Sequence, residues 1–487
     1  MIRVFRLMVK VIAALLAASA PGLAVTALAG FFFPDLFPPH RYHPRTIYYR
    51  RLGVAVHPWL PLDPSREYVI RFWDTRWRIP GEKQEAYQEF LEHLISSFQM
   101  KYPNVRVEYD LFRLGEARER LVRAIAEGEL PDVFSGPVDP FILYSGWTVP
   151  VTPFLRREEE SFYETAALEA VSREGEVRAW PRWVETYGWA GNARLLRLAG
   201  ADLDRIREQG WTYDEFLELA GRLKERSPST YPLVLDSSGT RSFGLLMQAA
   251  GVPSLLSADG QLRWKGEPLV KAAQFLADLR EKGGFPPDPA SMYRLMLDSF
   301  WKEKAAVLGP AGSGFLRHVR EHLSRREEKG GPGRQGSAVE PVLLPIPSPP
   351  GQSLSPPYTV EAVYAFRRPG GHEDDRARLA VEFARLVSRG DGAWLAVRLL
   401  NFPAYRPDQA RWSRELELQS PPGLFRLGSL RHARPAPILP PHLDVLEKAL
   451  ERNVIAPALR QFWAGNLSPG ELEGTISAGA REPWPRE

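Results

Sequence analysis

The chain has 487 residues, too many for one ordinary hydrophobic core, which implies two or three domains. Hydrophobic residues make up 44% and charged residues 25%, the balance of a globular protein and not of a disordered one. A formal net charge of +4, with no basic block interleaved with aromatics, leaves no footprint for nucleic acid, and the absence of cysteine excludes disulfides, thiolate metal sites, cysteine nucleophiles and iron–sulfur clusters.

Arg3, Arg6 and Lys10 precede an uncharged apolar run from Val11 to Phe33. Roughly 20 such residues cross a bilayer core. Ala27-Leu28-Ala29 before Gly30 has the small-x-small form of a signal-peptidase site, but Phe31, Phe32 and Phe33 prolong the apolar run beyond it. A retained anchor is therefore expected ahead of a cleaved signal peptide. Lipid attachment at an N-terminal cysteine is excluded. Arg41, Arg45, Arg50 and Arg51 follow the run, so flanking charge does not orient it. Residues 34–66, rich in Pro, Arg and Tyr, read as a juxtamembrane linker.

The body opens with a β-type run, Tyr68 to Trp73. A helix is predicted over 82–100, where Tyr87, Phe90, Leu91, Leu94, Ile95 and Phe98 recur at three and four, and Pro103 stops it. Val105, Val107 and Tyr109 alternate as a strand does. Leu121, Val122 and Ile125 mark a second helix ending near Gly128, and Val133-Phe134 begins a third strand. This order predicts a parallel α/β sheet, with ligands beyond the carboxyl ends of the strands. Further helices are predicted over 213–226, 268–282, 290–304 and 375–388, and strands over 305–308, 342–345 and 360–366. The prolines of the second of these strands suggest a sheet edge. Residues 324–337 read as a polar, Gly-rich surface loop, and no solenoid repeat is present.

No metalloprotease HExxH spacing, nucleophile elbow or phosphate loop appears. No cofactor or metal is expected, and no catalytic residue. The chemistry on offer is aromatic faces and carboxylates near strand ends, which suits sugars: flat C–H faces stack on rings, and hydroxyls bond to charged groups. Trp73, Asp74 and Trp77 lie just past the first strand. Trp73 and Trp77 could equally be packing residues. Asp139 follows Ser135 and Gly136 in the loop after the third strand, where an Asx turn before Pro140 is the alternative. Trp183, Glu185, Tyr187 and Trp189 alternate along one strand face, either lining a cleft or lying in a core.

Pro131-Asp132-Val133, Gly146 to Val151, Glu174 to Pro181, Gly191-Asn192 and Trp211 to Glu215 follow one another in an order that resembles the family 1 extracellular solute-binding proteins, the carbohydrate receptors of ABC importers, maltose-binding-protein-like in form. Phe300 to Val307, Pro341 to Pro347, Ala380 to Val387 and Asn401 to Ala404 extend the likeness over roughly 67–480. Many members have Tyr-Asn where this chain has Gly191-Asn192, so an aromatic of the second lobe is in doubt. The resemblance implies a two-lobed periplasmic-binding fold with a hinged cleft and divides the chain as follows: anchor helix 1–33, linker 34–66, first lobe 67–183 plus 305–360, second lobe 184–304 plus 361–487. It implies ligand contacts from Trp73, Asp74, Trp77, Ser135, Asp139, Glu185, Tyr187, Ser313 and Tyr358, with Glu185 alternatively bracing the hinge. The partners it implies are a carbohydrate, ABC permease subunits and, through the first helix, the membrane, with the body outside the cell as a monomer. A membrane-tethered sugar sensor and, less so, a polysaccharide hydrolase or lyase are the other readings.

Overall fold

The computed structural model describes residues 62–113, 115–237, 240–286, 293–328, 339–352, 358–367, 374–419 and 439–481. The expected anchor and most of the linker lie outside them. Among the described residues, no helix is long and apolar enough to cross a membrane.

In chain order the main strands are β1 (Tyr68–Thr75), β2 (Val105–Phe112), β3 (Val133–Pro137), β4 (Trp180–Thr186), β5 (Gly188–Asn192), β6 (Tyr231–Leu235), β7 (Ala305–Ala311), β8 (Pro341–Leu344), β9 (Tyr358–Ala365) and β10 (Phe402–Pro403). The helices that bear on the site are α1 (Ala86–Lys101), α2 (Glu116–Glu127), α3 (Pro140–Tyr144), α4 (Tyr213–Arg226), α5 (Gly266–Glu281), α6 (Ser313–Glu328), α7 (Asp374–Ser388), α8 (Trp394–Arg398) and α9 (Pro441–Leu450).

Two sheets make two lobes. The first has the order β10-β4-β9-β3-β1-β2. β1 pairs in parallel with β2, Tyr68 facing Val105, and with β3, Phe72 facing Val133. Alternation turns Tyr68, Ile70 and Phe72 to one face, where α1 and α7 bury them with Leu94, Phe98 and Phe383. β4 and β9 join antiparallel, with Tyr358 opposite Thr186 and Glu361 opposite Pro137. The end of β4 and the start of β9 therefore share a sheet edge with the carboxyl ends of β1, β2 and β3. Open α/β sheets bind ligands at that edge.

The second sheet has the order β8-β5-β7-β6. It packs against α4, α5 and the helices after residue 438 around Trp189, Phe216, Phe275 and Leu276. α4 begins at the capping box of Thr212 and Glu215 and keeps its predicted bounds. As its prolines suggested, β8 is an edge strand.

The pairing redraws the expected division at two places. β7 and β8, assigned above to the first lobe, bond into the second sheet, and β10 and the part of β9 from Glu361 on, assigned to the second, bond into the first. Apolar runs such as Ala305–Leu308 fit either core, and only the partner strand decides between them. The aromatic run is divided as well. Trp183 packs in the first lobe, whereas Trp189 meets Phe216 and Phe275 in the second. The expected loop over 324–337 starts later, since α6 runs on to Glu328 and residues 329–337 lie outside the described ones.

The chain first crosses between lobes at Thr186–Gly188. There a Cβ on Gly188 would lie 2.4 Å from the Leu344 carbonyl oxygen, and one on Gly312 would lie 2.9 Å from the Thr186 carbonyl oxygen. Both contacts are to backbone, which cannot swing aside. Gly188→Ala is expected to destabilise the protein by about 1–3 kcal/mol, as overpacking does. A urea unfolding midpoint unchanged from wild type would contradict this close approach.

Candidate functional site

The site is built on a buried polar floor. Asp74 is 0% exposed and Arg182 is 1% exposed. Arg182 Nη1 donates to Asp74 Oδ2 at 3.0 Å and to Ser135 Oγ at 2.9 Å. Asp74 also accepts from the Thr75 amide at 2.6 Å, from Trp77 Nε1 at 3.3 Å and from the Tyr87 hydroxyl. Those four donors use the lone-pair sites of one carboxylate. Asp74 and Ser135, both expected to face a ligand, are thus spent inside the first lobe.

A bulge brings Arg182 to this floor. Pro181 lies opposite Ala362 and Trp183 opposite Glu361, so Arg182 has no partner across β9 and turns inward. From there the paired strands climb toward the crossing and become wetter. Trp183 and Glu361 stand side by side, and the Trp77 ring meets Trp183 edge-on at 5.4 Å. Next come Glu185 and the exposed Thr359. Burial, then the charge of Asp74, pushes the Glu361 carboxyl well above the usual carboxylate range, against the pull of Arg182.

Glu185 occupies the crossing. Ser313 Oγ at the start of α6 donates to one of its oxygens at 2.5 Å, and the Tyr187 hydroxyl donates to the other at 3.0 Å. Arg317 Nη1 bonds Ser313 Oγ at 3.0 Å and the Leu399 carbonyl at 2.8 Å. The Arg241 guanidinium lies 4.5 Å from the Tyr187 ring centre. Burial, with the Glu185 charge second, pushes the Tyr187 hydroxyl up to about 12. Glu185, Tyr187 and Ser313 are therefore brought together, with residues of both lobes around them.

The other expected residues are dispersed. Trp73 is on the opposite face of β1, edge-on to Phe112 and bonded to Asp110 at 3.0 Å. Asp139 caps α3 through the Phe141 amide at 2.8 Å and is paired with Arg118, so the Asx geometry is present. Tyr358 is buried and donates to the Ala166 carbonyl at 3.2 Å. Arg182, Tyr87 and Glu361 were not among the expected contacts. Two signals for them were present in the sequence: a proline inside a strand, and a lone carboxylate in the apolar run Val360–Phe366. Among the described residues no group of three or more His, Asp or Glu side chains could hold a metal ion.

Residues 80–336 match the family model of the bacterial extracellular solute-binding proteins, more than half of the chain. The chain belongs to that family: it is a solute-binding receptor, not an enzyme, of a class that works outside the cytoplasm. Solved structures share the fold. The GacH receptor of Streptomyces glaucescens, known unliganded and with acarbose, is 18% identical with a TM-score of 0.61, over 85% of this chain and 98% of that one. The cyclic alpha-maltosyl-1,6-maltose binding protein of Arthrobacter globiformis is 14% identical with a TM-score of 0.63, over 85% and 99%. The Thermus thermophilus maltotriose binding protein, bound with maltotriose, is 17% identical with a TM-score of 0.55, over 85% and 99%. No curated protein sequence matches the chain.

Breaking the floor should be costly. Asp74→Ala leaves a buried guanidinium uncompensated and is expected to lose about 3–5 kcal/mol, whereas Asp74→Ala with Arg182→Met should lose less. Urea unfolding of the single and double variants checks this, and equal losses in the two would rule out the pair.

Proposed function

We propose that this receptor captures a neutral carbohydrate between its lobes and delivers it to the permease of an ABC importer. The observation that carries this reading is the strip along β4 and β9. The Trp77 ring, backed by the buried Trp183, stands near the carboxyl groups of Glu185 and Glu361 where the chain passes from one lobe to the other. Rings take the C–H faces of a sugar, and carboxylates accept from its hydroxyls. The likeness to receptors that bind acarbose, cyclic maltosyl-maltose and maltotriose supports the same ligand class. A ligand touching both walls would favour the closed arrangement by its greater affinity for it.

Trp77, Glu185, Tyr187 and Ser313 are the expected contacts that this reading retains. At 100 times its dissociation constant a captured sugar should stabilise the protein by about 2.7 kcal/mol. A thermal-shift screen against maltotriose, cellotriose, xylotriose and their monosaccharides tests the class. Shifts with peptides or polyamines and none with glycans would overturn it. Glu185→Ala should weaken the captured glycan by about 1.5–3 kcal/mol in calorimetric titration. Affinity unchanged with a lowered melting temperature would leave Glu185 as a hinge brace alone.

The body is held at the outer face of the membrane, in this reading, by the apolar run from Val11 to Phe33. Its length and the Phe31–Phe33 extension past the Ala-Leu-Ala site support retention. N-terminal sequencing of protein from native membranes should find the run intact. A mature start at Gly30 would mean secretion instead.

A further inference from the structure

Glu361 has a carboxyl with no evident structural use. The residue is 8% exposed, and in the sheet it stands between Pro137 of β3 on one side and Trp183 of β4 on the other. Among the described residues no hydrogen-bond partner meets that carboxyl, while the neighbouring Asp74 has four donors. The charged and titratable groups around it are Asp74 on β1, Arg182 and Glu185 on β4, and Tyr364 on β9 itself. Arg182 is already bonded to Asp74 and Ser135, and Glu185 adds a further carboxylate on the crossing side. An ionised Glu361 would thus be a buried charge facing like charges, with the nearest guanidinium shared. A neutral carboxyl removes that cost and offers a donor and an acceptor side by side. A sugar hydroxyl, which also both donates and accepts, is its complement.

We propose that Glu361 is a ligand-contacting residue of the cleft that presents a protonated carboxyl to the hydroxyls of an uncharged saccharide, so that capture is coupled to a proton. The proposal rests on the carbohydrate reading above. Its sign follows from the chemistry. The ligand bonds the protonated form, so affinity is full below the pKa that Glu361 has in the empty protein. Above that pKa, affinity falls by up to about tenfold per pH unit, and binding takes up a proton.

The experiment is calorimetric titration of the full chain in detergent with maltotriose, cellotriose and xylotriose from pH 5 to pH 9, in buffers of different ionisation heat. Wild type should bind more weakly as pH rises and should take up protons on the alkaline side. Glu361→Gln keeps a donor and an acceptor but cannot titrate. It should match wild-type affinity at pH 5 and stay flat to pH 9, which a merely structural role for Glu361 would not produce. Glu361→Ala should bind more weakly than Glu361→Gln at every pH. Wild-type affinity that is flat across the range, or a slope that survives in Glu361→Gln, overturns the proposal while leaving carbohydrate capture standing. Tighter binding of chitosan trisaccharide than of the neutral trisaccharides, rising with pH, overturns it in favour of an ionised Glu361 that pairs with an amine. Absence of binding by all these sugars at pH 5, in a protein that melts cooperatively, overturns the carbohydrate reading and this proposal with it.

Discussion

The ion pair of Asp74 with Arg182 organises the first lobe at the carboxyl edge of its parallel strands. Removing both charges from water costs several kcal/mol per ion, and hydrogen bonds contributed by four elements offset that cost. β1 supplies Asp74 and the Thr75 amide, β3 supplies Ser135, β4 supplies Arg182, and α1 supplies Tyr87. Four elements are thereby fixed relative to one another just below the sheet edge. The bulge that delivers Arg182 also sets Trp183 beside Glu361. The aromatic and acidic surface above the floor owes its arrangement to what is buried beneath it.

The crossing between lobes has a different character. Here close backbone approach replaces buried charge. Gly188 lets β5 pass against the Leu344 carbonyl, and Gly312 lets the turn before α6 sit on Thr186. Glu185 ties Ser313 and Tyr187 to the end of β4. Each lobe keeps a core of its own, around Phe72 and Phe383 in one and around Trp189 and Phe275 in the other, while a third cluster joins Phe134 and Tyr364 to Leu308 and Phe315 across the boundary.

At identities of 14% to 18% with the solved receptors, the fold persists while the side chains that face the cleft are free to differ. The floor carries one guanidinium against the carboxyls of Asp74 and Glu361, with Glu185 above. Such a surface suits ligands that donate hydrogen bonds, and it disfavours anions.

Much of the architecture was legible in the sequence. Helical periodicity in α1, the capping box of α4 and the alternation in β2 are local properties, and a local reading finds them. The order of motifs identified the family for the same reason, since order along the chain needs no folding to be read. The lobe to which β7, β8 and β9 belong was not legible, because a fully apolar strand satisfies any core and only long-range pairing selects one. Nor was the difference between Asp74 and Glu361. Both are carboxylates at strand ends in the sequence. Tertiary structure gives one a guanidinium and three further donors and the other none, since hydrogen-bond partners distant in sequence meet only when the sheet closes around them.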